Sequence, residues 1–150
     1  IESDFYDEQQ QAQVWLSYNE NSDKLLPNIQ KLANQLQVVR DYFNTFVYGE
    51  ISEIKIKINI GYRPLWWELQ QGRNGNSQHV YGKAADFKVI IVYDYEDMMG
   101  NTVMKQITPH FVLAVMEKLV LDGEILQGGL GSSEYNSFTH YDVRRKKARW

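Results

Sequence analysis

The sequence predicts an α+β protein in which helices pack on one side of a small, mostly antiparallel sheet. Apolar residues recur at spacings of three and four between residues 26 and 43, which indicates one buried helical face. Isoleucine alternates with lysine and asparagine over residues 54–60, the pattern of a strand with one buried and one exposed face. Thr108 followed by Pro109 indicates the start of a second helix, which Gly123 ends.

The first helix is expected to begin at Ser22 or Asp23, since either residue can cap it and Pro27 is tolerated near a first turn. Residues 1–22 are polar and glutamine-rich, and we interpret them as an N-terminal arm or short helix. The chain as a whole, residues 1–150, is then a single domain with a core of ordinary size.

The remaining strands are predicted, in chain order, at residues 84–93, at residues 102–107 after a turn at 99–101, from Ile125 to a glycine-rich turn at 128–133, and at residues 137–143. The strand after Asp86 is nearly continuously apolar, so we expect it in the centre of the sheet. In the last strand, Phe138, His140 and Asp142 share one face because alternate side chains point the same way. A long polar loop is expected between Pro64 and Ser77.

Composition limits the classes of function. The net charge is −3 with both signs dispersed, which argues against electrostatic capture of nucleic acid. No apolar run approaches the roughly 20 residues of a membrane span. The sequence contains no cysteine, so a metal ion would have to be held by nitrogen and oxygen atoms.

Two histidines and one aspartate stand out as candidate metal ligands. His79 and Asp86 are seven residues apart with Gly82 between them as a turn, so a loop can carry the imidazole and the following strand the carboxylate. His140 adds a second imidazole. Two neutral imidazoles and one carboxylate match the three protein ligands of a catalytic zinc site, with a fourth position for water or substrate. A pair of surface histidines that never meet is the alternative explanation.

The residues around these ligands resemble a known family. The sequence contains S-x-H-x-x-G-x-A-x-D at residues 77–86, G-G-x-G at 128–131, F-x-H-x-D at 138–142, the closing pair Arg149 and Trp150, and an upstream G-Y-R at 61–63. Together they resemble the zinc peptidases that cut peptidoglycan stem peptides, in which a serine precedes the G-Y-R where this chain has Ile60. These are the D-alanyl-D-alanine carboxypeptidases and dipeptidases and the L-alanyl-D-glutamate endopeptidases of bacteria and phages, which share their fold with the Hedgehog signalling domain.

The resemblance implies a Hedgehog-type fold and a zinc ion held by His79, Asp86 and His140. It implies a metallopeptidase that hydrolyses an amide bond of the peptidoglycan stem peptide, either as a carboxypeptidase or as an endolysin-type endopeptidase. It also implies a protein of the bacterial cell envelope, periplasmic or extracellular, or one associated with phage lysis or the virion. The oligomeric state is not indicated.

The resemblance leaves the general base open. In the endolysin branch of the family an acid lies three residues before the last histidine, where this chain has Ser137. Asp142 and Glu134 are the nearby acids, and we favour Asp142 as the base. The alternative for Asp142 is to accept the second N–H of a ligand histidine, and the alternative for Glu134 is simple solvent exposure.

Arg63 and Ser77 are the expected substrate-binding residues. In the family the arginine faces the substrate, and a guanidinium there can hold a peptide carboxylate or stabilise a developing oxyanion, so Arg63 is also a catalytic candidate. Its alternative is an ordinary surface ion pair. Ser77 is expected to hydrogen-bond near the ligand loop, with a turn-forming role as the alternative.

Two other functions compete with the peptidase. The first is a catalytically inactive, zinc-stabilised binding or structural module of a phage particle or cell envelope, which the missing acid at Ser137 supports. The second is a metal-free globular domain, which predicts no thermal shift when zinc is added or chelated.

Overall fold

The computed structural model describes residues 8–133 and 137–150, with side chains from residue 24 onwards. Its helices and strands, in chain order, are α1 (Glu8–Asn44), β1 (Ile51–Ile60), α2 (Leu65–Gln70), β2 (Ala84–Glu96), β3 (Thr102–Gln106), α3 (Pro109–Leu121), β4 (Gly129–Ser133), β5 (Phe138–Asp142) and β6 (Ala148–Arg149). A short 3₁₀ turn, Gln78–Tyr81, precedes β2. The α+β class predicted from the sequence is confirmed.

A single six-stranded sheet organises the protein. Its spatial order is β1-β2-β5-β4-β6, and β3 pairs with the later part of β2. The pairs are antiparallel except that β6 runs parallel to β4. β2 contacts β1 along one edge and β5 and β3 along the other, so its predicted central position and its hairpin with β3 are confirmed.

Helices α1 and α3 pack on the same face of this sheet. Their side chains join alternate residues of the central strands in one apolar cluster, which includes Leu36, Val39, Val112, Met116, Phe87, Leu130 and Tyr141. Because side chains alternate along a strand, the residues between these core positions point to the second face. Asp86 and His140 are therefore directed away from the helices. No helix in the described part of the chain is long and apolar enough to cross a membrane.

The start of α1 differs from expectation. The helix begins at Glu8, so most of the expected N-terminal arm belongs to it, while residues 1–7 lie outside the described part of the chain. Glutamine and glutamate are good helix formers, which accounts for the extension. Asp23 is an interior residue and not a cap, and Pro27 lies inside the helix, where the missing N–H removes one backbone hydrogen bond. Leu26, expected on the buried face, is exposed.

Two further segments correct the sequence-based prediction. Residues 65–70 form α2 inside the expected polar loop. The predicted glycine-rich turn is itself the strand β4, and Ile125 precedes that strand. The glycines are needed for close approach: a Cβ on Gly129 would lie 2.2 Å from Oδ2 of Asp142, and one on Gly131 would lie 2.5 Å from Nε1 of Trp150.

Candidate metal centre

The three predicted ligands come together on the second face of the sheet. Asp86 on β2 and His140 on β5 are direct partners in the antiparallel register. His79 reaches them from the 3₁₀ turn that precedes β2. One ligand atom from each residue lies within 4.8 Å of the other two, and all three side chains are buried. The structure thus brings together residues that are up to 61 positions apart in the sequence, from His79 to His140.

Local backbone geometry fixes the position of His79. The hydroxyl of Ser77 accepts a hydrogen bond from the backbone N–H of His79 at 3.3 Å and caps the 3₁₀ turn. Gly82 ends the turn with φ of 68°, a left-handed conformation that favours glycine. A Cβ at that position would also lie 2.8 Å from the side chains of Leu25 and Ile29. The hydrogen bond expected for Ser77 is therefore one that its hydroxyl accepts from the backbone of the ligand turn.

The carbonyl of Gly61 orients the His79 ring. Its oxygen lies 2.8 Å from Nδ1 of His79, and because a carbonyl can only accept, Nδ1 carries the proton. Nε2 is then the atom with a free lone pair, and it points to Oδ2 of Asp86 at 3.4 Å. A carbonyl or carboxylate that accepts the second N–H is a regular companion of a metal-binding histidine.

Asp142 orients the ring of His140, as the Gly61 carbonyl orients that of His79. Its Oδ2 accepts a hydrogen bond from Nε2 of His140 at 2.8 Å, which leaves Nδ1 directed at Oδ1 of Asp86, also at 2.8 Å. Each histidine therefore contacts the carboxylate of Asp86 with one ring nitrogen, while a separate acceptor holds the other. A surface cluster of acids and histidines would not require this arrangement on both rings.

The carboxylate of Asp142 is fully buried and surrounded by protein hydrogen-bond donors. Oδ1 accepts from the backbone N–H of Gly129 at 2.9 Å and from Nε of Arg144 at 2.8 Å. Oδ2 accepts from Nη2 of Arg144 at 2.7 Å as well as from His140. This bidentate guanidinium contact fixes the carboxylate in one orientation, on the far side of the His140 ring from Asp86.

Burial and hydrogen bonding shift the pKa values of these groups in opposite directions. Burial raises the pKa of Asp86, but the close contacts of its carboxylate with the rings of His140 and His79 outweigh burial and hold the pKa well below its usual range. Burial likewise raises the pKa of Asp142, and the bonds from His140, Arg144 and Gly129 reverse the effect. Burial lowers the pKa of His140, whereas its bonds to Asp142 and Asp86 raise it above the ordinary 6.5. The two carboxylates on either side of the His140 ring therefore favour its protonated form in the metal-free site.

Arg63 lies beside the ligand turn and is held by a buried glutamate. Its backbone N–H donates to the carbonyl of His79 at 3.0 Å. Its Nε is 2.9 Å from Oε1 of Glu68, without the alignment of a hydrogen bond, so the contact is an ion pair. Glu68 is only 1% exposed and also meets Arg73, and both guanidinium groups lie over the ring of Trp67, at 5.3 and 5.2 Å. Arg63 is thus part of a partly buried cluster around Glu68 and not of a surface ion pair.

Sequence reasoning missed several residues that support the site. Glu68 was hidden because α2 was taken for loop, and the short apolar run of Leu65 to Leu69 is the signal that could have revealed it. Arg144 follows Asp142 by two residues, so strand periodicity already placed it on the same side. Ser137 has φ of 54° and enters β5 from the turn, while Glu134 lies outside the described residues.

The donor set restricts which ions this centre can hold. Two nitrogens and one carboxylate, without sulfur, suit zinc and other divalent transition metals. Tetrahedral bonds of about 2.1 Å place neighbouring ligand atoms about 3.4 Å apart. Nε2 of His79 lies at that distance, 3.4 Å, from Oδ2 of Asp86, whereas Nδ1 of His140 is closer to Oδ1, at 2.8 Å. The buried group formed by His79, Asp86 and His140 could therefore hold a metal ion. No protein-family model matches the chain, and neither a curated protein nor a solved structure matches it.

Proposed function

We propose that this protein is a zinc-dependent peptidase that hydrolyses an amide bond in the stem peptide of peptidoglycan. The observation that carries the proposal is the pair of oriented histidines. Both rings direct one nitrogen toward Asp86 while a carbonyl or a carboxylate fixes the other nitrogen. The motif around residues 77–86 and 138–142, which resembles the peptidoglycan peptidases, supports the substrate class.

In this proposal His79 binds zinc through Nε2, His140 through Nδ1, and Asp86 through its carboxylate. Bound zinc would polarise the scissile carbonyl and acidify a water molecule at the remaining position. Zinc is favoured over softer or harder ions because the donor set combines two imidazoles with a single carboxylate.

Asp142 orients His140 in the proposed mechanism and does not act as the base. Its two oxygens already accept four hydrogen bonds or charged contacts, from His140, Gly129 and Arg144. A base needs an oxygen that can approach the attacking water. Glu134, in the connection between β4 and β5, is then the remaining nearby acid from the sequence, and we assign the role to it as a proposal.

Arg63 is the proposed substrate-binding residue. Glu68 contacts Nε of Arg63, and in the proposal the two terminal nitrogens of the guanidinium bind a substrate carboxylate or the developing oxyanion. Stacking on Trp67 and the backbone bond to His79 hold the group near the ligand turn. Substrate charge would then be recognised by one preorganised side chain, which suits a protein with a net charge of only −3.

A second candidate is a zinc-stabilised binding or structural module without hydrolytic activity, in a phage particle or cell envelope. Two observations favour it: Ser137 stands where an acid is found in the endolysin branch, and Asp142 is fully engaged with its protein partners. In this case the metal would contribute folding free energy alone.

Mass spectrometry of muropeptides after incubation with the zinc-loaded protein tests the proposal. The expected result is a stem peptide shortened at one amide bond, with no product after chelation or in the His140→Ala variant. His110→Ala is the matched control, since His110 lies on α3 and is exposed. Stoichiometric zinc, an intact fold and unchanged muropeptides would instead support the inactive module.

A further inference from the structure

Trp150 is a large aromatic side chain that remains 60% exposed while touching a candidate ligand. Its ring centroid lies 4.7 Å from that of His140, with the two planes inclined at 52°. The proposed hydrolysis assigns no role to this contact. An exposed indole beside a ligand offers a flat apolar surface to whatever approaches the metal.

The indole is exposed but well anchored. The backbone N–H of Trp150 donates to the carbonyl of Leu130 at 3.3 Å, and the guanidinium of Arg144 lies 5.6 Å from the indole ring. The preceding Arg149 is fixed by Glu117, by the carbonyl of Gly128 at 2.6 Å and by Gln127 at 2.8 Å. These contacts fix the backbone that carries Trp150 beside β4, and the indole lies between Arg144 and His140.

Strand β4 leaves room for the indole. A Cβ on Gly131 would lie 2.5 Å from Nε1 and 2.7 Å from Cε2 of Trp150, so a side chain there would displace the ring from its place beside His140. Gly131 is also the direct register partner of His140. Because Gly131 has no side chain, the indole of Trp150 can lie over β4 directly beside His140.

One row of residues crosses the second face at this level. The register pairs Ile60 with Asp86, Asp86 with His140, and His140 with Gly131. A register shift between Ile58 and Ile60 brings Ile60 opposite Asp86, and its side chain is 38% exposed. With strands about 4.8 Å apart, the ligands lie between an apolar side chain on β1 and the indole over β4.

We propose that Trp150 is a substrate-contacting residue whose exposed indole takes an apolar side chain of the bound peptide, next to the amide that is cut. The inference rests on the proposed peptidase function and deepens it. The reacting amide has to lie over the ligands, and consecutive Cα atoms are about 3.8 Å apart. The group that meets an indole in contact with His140 therefore belongs to a residue flanking that amide, and a more distant sugar ring does not reach it.

Indole N–H signals in ¹H–¹⁵N spectra of the zinc-loaded full chain test this contact. The sequence contains four tryptophans, and Trp150→Phe identifies the signal of interest. We expect the synthetic pentapeptide L-Ala-D-isoGlu-L-Lys-D-Ala-D-Ala to shift that signal, while the peptidoglycan disaccharide alone leaves it unchanged. Trp150→Ala should raise KM about tenfold with zinc content and kcat retained, and Trp150→Phe should raise it less. Trp15→Phe, in the first part of α1, is the matched control.

The possible outcomes distinguish the proposed contact of Trp150 with the peptide from the proposed peptidase activity. A Trp150 signal that does not respond to the pentapeptide overturns the inference, as does a signal that responds to the disaccharide alone, which would indicate a saccharide platform. An unchanged KM in folded, zinc-loaded Trp150→Ala also overturns it. If the pentapeptide shifts the signal but is never cleaved, the contact stands and the proposed peptidase activity fails.

Discussion

On the face of the sheet covered by α1 and α3, Ala85, Phe87 and Tyr141 pack in an apolar core, whereas the intervening residues Asp86 and His140 form a charged cluster on the opposite face. The same two strands, β2 and β5, supply both sets in direct register. The core face gains stability by removing apolar area from water. The site face places ionisable groups out of water, which is tolerated only when each has a partner.

This difference determines how each face responds to a metal ion. Among the residues that the structure describes, no group of ion-binding side chains lies on the core face, so we expect the contribution of that face to stability to be independent of metal. On the site face the ring nitrogens of His79 and His140 converge on one carboxylate, and an ion would replace a proton among them. Substitutions on the two faces should therefore be distinguishable by their dependence on zinc.

Loss of a ligand on the site face should have the largest effect. His79→Ala and His140→Ala are each expected to abolish stoichiometric zinc binding, because two remaining protein ligands cannot form a catalytic-type site. Zinc content after dialysis, measured by elemental mass spectrometry, checks this. His110→Ala removes the third histidine of the chain and should retain the metal. Full zinc content in either ligand variant would contradict the assignment.

A cavity on the core face should destabilise the protein without regard to metal. Phe87 is fully buried on β2, next to Asp86 in sequence but on the other face. Phe87→Ala is expected to lower the free energy of unfolding by about 3–5 kcal/mol, equally with and without zinc. Denaturant titrations under both conditions measure it. A loss confined to the zinc-loaded protein would show that the two faces are coupled.

Removing the charge of Asp142 should weaken the site without destroying it. Asp142→Asn retains an oxygen for His140 but loses half of the bidentate contact with Arg144, so we expect zinc affinity to fall 10- to 100-fold, roughly as for other residues that orient metal ligands. Chelator competition gives the affinity, and kcat is then compared at saturating zinc. Near-normal kcat identifies an orienting role, whereas a large loss of kcat at full occupancy would restore Asp142 as the base.

Features of the fold and site that depend on residues close together in the sequence could be predicted, whereas features that depend on contacts between distant segments could not. The strand β1 and the shared face of His140 and Asp142 follow from side-chain periodicity, and the start of α3 follows from Thr108 and Pro109; the structure confirms these three. The buried isoleucine face predicted for β1 is wrong at its end, because Ile58 and Ile60 are exposed and a register shift separates them. The glycines of β4 were predicted to form a turn. Glycine is needed there because Asp142 and Trp150, from other segments of the chain, approach the strand closely. Long-range register of this kind leaves no signal within the segment itself.

Metal binding should depend on pH through His140. Burial lowers the pKa of His140, but bonds to Asp142 and Asp86 raise it above 6.5 overall. The stability gained from the charged ring is therefore complete below about 6.5 and is lost as pH rises through the raised pKa. Zinc needs Nδ1 without its proton, so the affinity should increase about tenfold per pH unit up to that pKa and then level off. Chelator competition across this range measures the slope, and a flat profile in wild type would exclude proton release from His140.

The smallest expected effect concerns Arg63, which borders the site face without binding the metal. Arg63→Lys keeps a positive charge for Glu68 but leaves no second and third nitrogen for the substrate, so KM for the pentapeptide should rise about tenfold while zinc affinity stays unchanged. Arg73→Lys is the matched control: Arg73 meets the same carboxylate and the same Trp67 ring, yet its side chain is half exposed. If both lysine variants raise KM alike, the effect comes from disturbed packing around Glu68 and Trp67, since both variants keep the positive charge, and not from the terminal nitrogens of Arg63. A rise in KM that is confined to Arg63→Lys would place the substrate-binding guanidinium beside the His79 turn, on the metal-dependent face of the sheet.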